Sequence, residues 1–68
     1  MLMKPVTSSQ IEAIGHENGV LAVKYKSGGT YHYADVPPAT FDAMIKAPSV
    51  GSFLHANIKG KHSFKKVT

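Results

Sequence analysis

From Val20 to Lys26 large apolar residues alternate with small or charged ones, with Leu21, Val23 and Tyr25 on one side and Ala22, Lys24 and Lys26 on the other. That period of two predicts a half-buried strand. Glu17-Asn18-Gly19 precedes it, and an Asn-Gly pair is the strongest short-range hairpin signal. A partner strand is therefore expected over about Gln10 to Glu17. Ser27-Gly28-Gly29 supplies the next turn, and a third strand is expected from Thr30 to about Val36. After Val36 the period changes. Pro37-Pro38 ends the strand, and Pro38 suits a first helical turn. Phe41, Met44 and Ile45 recur at helical spacing up to about Ala47, and Pro48 stops that helix. Ser49 is a good N-cap for a second helix, with Val50, Phe53, Leu54 and Ile58 as its apolar stripe and Gly60 at its end. Ser52, His55 and Lys59 fall on its opposite face. The last eight residues, with Phe64 and Val67 among lysines, suit a short edge strand or a frayed end.

These elements predict an α+β fold: a three-stranded antiparallel β-meander followed by two short α-helices packed on one face, in a single domain over residues 1–68. A two-residue turn at Asn18-Gly19 sets His16 opposite Leu21 and Ile14 opposite Val23. A two-residue turn at Ser27-Gly28 sets Val23 opposite His32 and Lys24 opposite Tyr31. One face then carries Ile14, Leu21, Val23, Tyr25, Thr30 and His32. The other carries Ile11, Ala13, Gly15, Ala22, Lys24, Tyr31 and Tyr33, with Tyr33 lying across Ala22 and Gly15 as an aromatic over a strand glycine. A different second turn would flip the third strand and bring the tyrosines beside Leu21 and Val23.

A chain of 68 residues buries only about 60% of the surface its unfolded form exposes. A shared core in a homodimer would relieve that thin margin, so monomer and homodimer are both open. Without cysteine, neither a disulfide nor a thiolate zinc site reinforces the fold. The net charge is +4, and its distribution matters more. Glu12, Glu17, Asp35 and Asp42 all lie in the first part of the chain. From Ala43 onward the sequence holds Lys46, Lys59, Lys61, Lys65 and Lys66, with His55 and His62, and no acid. Such a positive lobe attracts polyanions through its summed field. The basic residues are all lysine. Without the guanidinium fork that reads guanine edges, contacts to nucleic acid are expected at the backbone, with low sequence specificity.

Candidate chemistry is sparse. His16, His32, His55 and His62 show no helical i, i+4 pairing, no paired carboxylates stand out, and no Gly-x-Ser-x-Gly elbow occurs. The expectation is a non-enzymatic protein without metal or cofactor. Two constellations are more suggestive. Ser49, Gly51 and Ser52 place hydroxyls and open backbone at a helix N-terminus, a setting that accepts anions; an ordinary N-cap is the alternative. Tyr31 and Tyr33 point to one strand face beside Lys24. With Lys59, Lys61, Lys65 and Lys66 they would make a stacking platform and phosphate contacts for single-stranded RNA. The competing use of the tyrosines is as the floor of a core, each with a wet hydroxyl. The N-terminal apolar stretch is too short for a signal peptide and no run approaches a membrane span, so a cytoplasmic protein is expected.

The ordered series Ser8-Ser9, Ile11, Ile14-Gly15-His16, Leu21-x-Val23-x-Tyr25, a glycine turn, Tyr31-x-Tyr33, Val36-Pro37, Ala47-x-Ser49-x-Gly51-x-Phe53-Leu54-His55 and Ile58-Lys59 resembles the KTSC domain. That domain takes its name from the C-terminus of some lysyl-tRNA synthetases and also occurs alone in bacteria and phages. The resemblance runs from about Val6 to Phe64, with Tyr31 and Tyr33 as its central signature. It implies a module of unestablished function, for which the synthetase attachment suggests RNA binding. The occurrence in phages suggests the alternative, a protein-interaction module acting on a host factor. His16, Lys59 and His62 stand where the family often has an aromatic, an arginine and an aromatic.

Overall fold

The Asn-Gly turn forms as expected. Asn18 and Gly19 both take positive φ, 53° and 78°, which matches the twist of the strands they join. A computed structural model describes residues 2–68, and among these the chain forms five strands and two helices. They are β1 (Met3–Pro5), β2 (Ile11–Glu17), β3 (Val20–Tyr25), β4 (Thr30–Tyr33), α1 (Pro38–Lys46), α2 (Val50–Asn57) and β5 (Phe64–Lys66). The strands make one antiparallel sheet in the order β1-β2-β3-β4-β5. The class is α+β, as expected, and the expected meander is its centre. Two edge strands extend it. β5 is the anticipated C-terminal one; β1 has no counterpart in the periodicity.

The β2–β3 register agrees with expectation, with His16 opposite Leu21 and Ile14 opposite Val23. Two other pairings differ, and both move side chains across the sheet. First, the register slips between Ile11 and Ala13, because Glu12 is an extra residue on β2. The bulge turns Ile11 to the same face as Ile14, and both are buried. Second, the β3–β4 turn is a three-residue one. The Tyr25 N–H donates to the Gly29 carbonyl and the Gly28 N–H donates to the Tyr25 carbonyl, both at 3.1 Å. Gly28 and Gly29 hold positive φ, 103° and 91°, where a side chain is strained. The pairing becomes Leu21 with Tyr33, Ala22 with His32, Val23 with Tyr31 and Lys24 with Thr30. Tyr31 and Tyr33 therefore share a face with Leu21, Val23 and Tyr25. Tyr33 does not cover Gly15 and Ala22, and Thr30 and His32 take the opposite side.

That tyrosine face is the core. Ile11, Ile14, Leu21, Val23 and Tyr33 pack with Val36, Met44, Val50, Leu54 and Ile58. β4 ends at Tyr33, short of the expected Val36, because Asp35 takes φ 58° and turns the chain. Val36 is then fully buried, and its N–H donates to the Gly19 carbonyl at 2.8 Å. α1 begins with Pro38 in its first turn, and the extended backbone of Ala47 before Pro48 ends it. Met44 is its buried residue, whereas Ile45, expected in the apolar stripe, is exposed. α2 is capped by Ser49, whose Oγ accepts the Ser52 N–H at 3.2 Å. Gly60, at φ 82°, lets the chain leave the helix and return to the sheet as β5. The other sheet face carries Ala13, Gly15, Ala22, Lys24, Thr30, His32 and Lys65 by register.

The glycines separate strain from space. A Cβ on Gly29 would meet the Thr68 carbonyl oxygen at 3.3 Å and Lys66 Cε at 3.4 Å, at a φ that disfavours it. A Cβ on Gly51 would meet only Ser8 Oγ, at an ordinary 3.6 Å, within α2. Urea unfolding is expected to show Gly29→Ala destabilised by about 1–3 kcal/mol. Gly51→Ala is expected to be neutral or stabilised by less than about 1 kcal/mol.

Candidate functional site

The register gathers four aromatic rings at one end of the core. Tyr33 sits in a row with Leu21 and Phe64, and Tyr31 in a row with Val23 and Lys66. Tyr25 lies one row further along β3. Its ring meets Tyr31 edge-on at 5.4 Å and 88°. Phe64 leans on both Tyr31 and Tyr33, with each centroid 5.8 Å away. These offset and edge contacts are the favoured aromatic geometries. The Tyr25 and Tyr33 hydroxyls face one another at 3.3 Å.

The rings differ in exposure, and that assigns their work. Tyr33 is 3% exposed and belongs to the core, while Phe64 is 63% exposed. Tyr31 and Tyr25 are half-buried between them. Lys59, from the turn after α2, holds its Nζ 5.6 Å from the centre of the Tyr25 ring, a cation–π contact. Burial, then the hydrogen bond with Tyr33, hold the Tyr25 hydroxyl pKa well above its ordinary value.

Tyr25 and Lys59 stand between two hollows. One, of about 510 Å³, is walled by Tyr25, Tyr31, Tyr33 and Phe64, with Lys59 and Gly60 at its lip. The other, of about 1020 Å³, opens between the β1–β2 connection and the start of α2, with Ser8, Lys26, Ser49, Ser52 and His55 among its walls. No Asp or Glu lines either.

Of the residues singled out from the sequence, Tyr31, Tyr33 and Lys59 come together here. Lys66 lies opposite Tyr31 on β5, and Lys61 lines a shallow hollow with Phe64. Lys24 and Lys65 fall on the opposite sheet face, so the expected grouping of Lys24 with the tyrosines does not form. Lys24 instead pairs with Glu12 at 3.1 Å, both half exposed; such surface pairs contribute little. Ser49, Gly51 and Ser52 line the larger hollow, where Ser49 already caps α2. Sequence reasoning gave no role in this site to Tyr25 or Phe64. Tyr25 was legible in the alternation of β3. Phe64 carried only the signal of an aromatic among lysines.

Two of the four histidines, His16 and His62, are occupied structurally. One N–H of His16 donates from Nε2 to the Val36 carbonyl at 2.6 Å, and its ring stacks on Phe41 at 5.3 Å. His62 donates from Nδ1 to the Ala34 carbonyl at 2.9 Å. Together they pin the link between β4 and α1. Among the described residues no three His, Asp or Glu side chains gather as a metal site, and no helix is long and apolar enough to cross a membrane.

The model of the KTSC domain matches residues 7–64. The chain belongs to the KTSC domain family. The fold agrees: the crystal structure of a KTSC domain protein from Yersinia pestis superposes with a TM-score of 0.95 at 35% identity, covering 98% of this chain and 97% of that one. A protein of Tsukamurella paurometabola is 42% identical over 59 residues, which cover 84% of this chain and 88% of its own. An uncharacterised protein of Stutzerimonas stutzeri is 33% identical over 57 residues, 81% of this chain and 80% of its own. In this KTSC domain the Tyr-x-Tyr signature supplies one core ring and one groove ring.

The Tyr25 environment has a pH consequence. In the unfolded chain Tyr25 ionises near 10, and in the folded chain it ionises higher. Its contribution to stability is therefore complete below the unfolded value and is lost as pH rises toward the folded one. Titration of the Tyr25 phenol, followed by its ring resonances, should show it ionising only as the fold opens. The alkaline loss of stability should be smaller in Tyr25→Phe.

Proposed function

We propose that this KTSC domain is a non-enzymatic module that binds single-stranded nucleic acid, RNA in preference to DNA, with low sequence specificity. One observation carries the reading: an exposed Phe64, braced by Tyr31 and Tyr33, sits among Lys59, Lys61 and Lys66 in the acid-free half of the chain. An aromatic face stacks any base, and surrounding lysines neutralise phosphates without reading sequence. Phe64 is the stacking surface, Tyr31 its half-buried neighbour and Tyr33 the support. Lys24 and Lys65, on the other face, act only through the general positive field. The attachment of such domains to lysyl-tRNA synthetases favours RNA.

A second reading has its own observation. β5 is a sheet edge bearing exposed Phe64 and followed by exposed Val67, and an exposed edge is a template for a partner strand. A protein-interaction module of this kind would bind with little dependence on salt.

Fluorescence anisotropy separates the two. A short single-stranded RNA should bind at micromolar protein, with affinity falling linearly in log salt. Phe64→Ala should weaken it about tenfold, since stacking is worth ~1–3 kcal/mol per base. Lys59→Ala should cost more than Lys24→Ala. Absence of salt-sensitive binding to RNA or DNA at micromolar protein would sink the proposal.

A further inference from the structure

The two hollows share Tyr25 and Lys59 as a common wall and differ in chemistry on its two sides. The aromatic hollow offers ring surface from Tyr31 and Phe64, tilted 50° to one another. The larger hollow offers hydrogen-bond donors and positive charge. Ser8 Oγ already accepts the N–H groups of Gln10 and Ile11, each at 3.3 Å. Both acceptor positions of that hydroxyl are filled, so what it has left to give is its O–H proton. Ser49 Oγ likewise accepts from Ser52 and keeps its own proton to donate. The Tyr25–Tyr33 pair uses one phenolic proton between the two rings and leaves the other. Lys26, Lys59 and His55 add cationic or donating groups, and no carboxylate opposes them. Volumes of about 510 and 1020 Å³ are of the size that holds small ligands.

A groove that offers an aromatic patch at one end and donors and cations without a carboxylate at the other suits a ligand built the same way. We infer that this groove takes one nucleotide as a unit, its base against the exposed side of the Tyr31 and Phe64 rings and its phosphate among Ser8, Lys26 and Lys59. The inference rests on the nucleic-acid reading and narrows it. The strand is not merely held by a lysine field; one of its nucleotides is seated across the Tyr25–Lys59 divide. Its phosphate lies on the far side of Tyr25 from Lys61, Lys65 and Lys66.

Amide chemical shifts, followed by nuclear magnetic resonance during titration with AMP, adenosine and inorganic phosphate, test this directly. AMP should move amides at both ends, around Tyr31 and Phe64 and around Ser8 and Lys26. Adenosine should move only the aromatic end, and phosphate only the other. AMP should bind about tenfold tighter than adenosine, the effect of a charge-assisted phosphate contact. Lys26→Ala, which touches only the larger hollow, should remove most of that advantage and leave adenosine binding unchanged, with the spectrum otherwise that of the folded protein. AMP shifts confined to Lys61, Lys65 and Lys66, or an equal response to AMP and phosphate, would overturn the inference. Should a single-stranded RNA bind in anisotropy while AMP leaves both ends unmoved, the seated nucleotide is wrong and the nucleic-acid reading survives. Should AMP bind across both ends while RNA does not bind, the groove is a mononucleotide site and the strand-binding reading is what fails.

Discussion

The three-residue turn between β3 and β4 decides what the tyrosines are for. Side chains alternate across a strand, so a turn one residue shorter would send Tyr31 and Tyr33 to the face that carries Lys24 and Ala22. With Gly28 and Gly29 at positive φ, the pairing instead stacks Tyr33 on the row of Leu21 and Tyr31 on the row of Val23. The core of so short a chain depends on this. Tyr33 is one of the larger side chains buried beneath the helices, in the one core cluster among the described residues. The bulge at Glu12 performs the same service on β2, where it adds Ile11 to the buried set.

The groove is a consequence of where the helical cover stops. α2 lays Val50, Leu54 and Ile58 over the sheet and then ends, with Gly60 turning the chain away. The cover reaches Tyr33 but leaves Tyr31 half open, and β5 brings Phe64 alongside at the uncovered end. Lys59, the residue after the last buried position of the helix, is carried over the Tyr25 ring by the same exit. The row that holds Tyr33 thus passes from interior to surface in one strand spacing, at Phe64. Its inner ring holds the fold, and its outer ring is exposed.

Much of this was legible from residue pattern. The Asn-Gly hairpin, the change of period at Pro37-Pro38, the Ser49 cap and the Gly60 exit each rest on a local backbone preference, and each forms as read. The sided placement of the tyrosines was not, because the Ser27-Gly28-Gly29 stretch accommodates two- and three-residue turns with similar chemistry. The bulge leaves no local mark either: Ile11-Glu12-Ala13-Ile14 reads as regular alternation broken once. β1 escaped notice because three residues ending in Pro5 show no period, and a proline sits easily on an edge strand. Of the candidate site, the lysine-rich half and the Tyr-x-Tyr pair were visible. Phe64 was not, and Tyr25 was visible only as a strand position, since their proximity comes from β5 and from the turn register.

The sided placement of Tyr33 is the claim on which core, groove and proposed binding all stand. It is tested most directly by the nuclear Overhauser contacts of the Tyr33 ring in the free protein. The pairing described here predicts strong contacts from that ring to the Leu21 methyls and to the Phe64 ring, and none to the Ala22 methyl. Contacts from Tyr33 to Ala22 and to the Gly15 α-protons would contradict it, and would place the aromatic pair on the opposite face of the sheet.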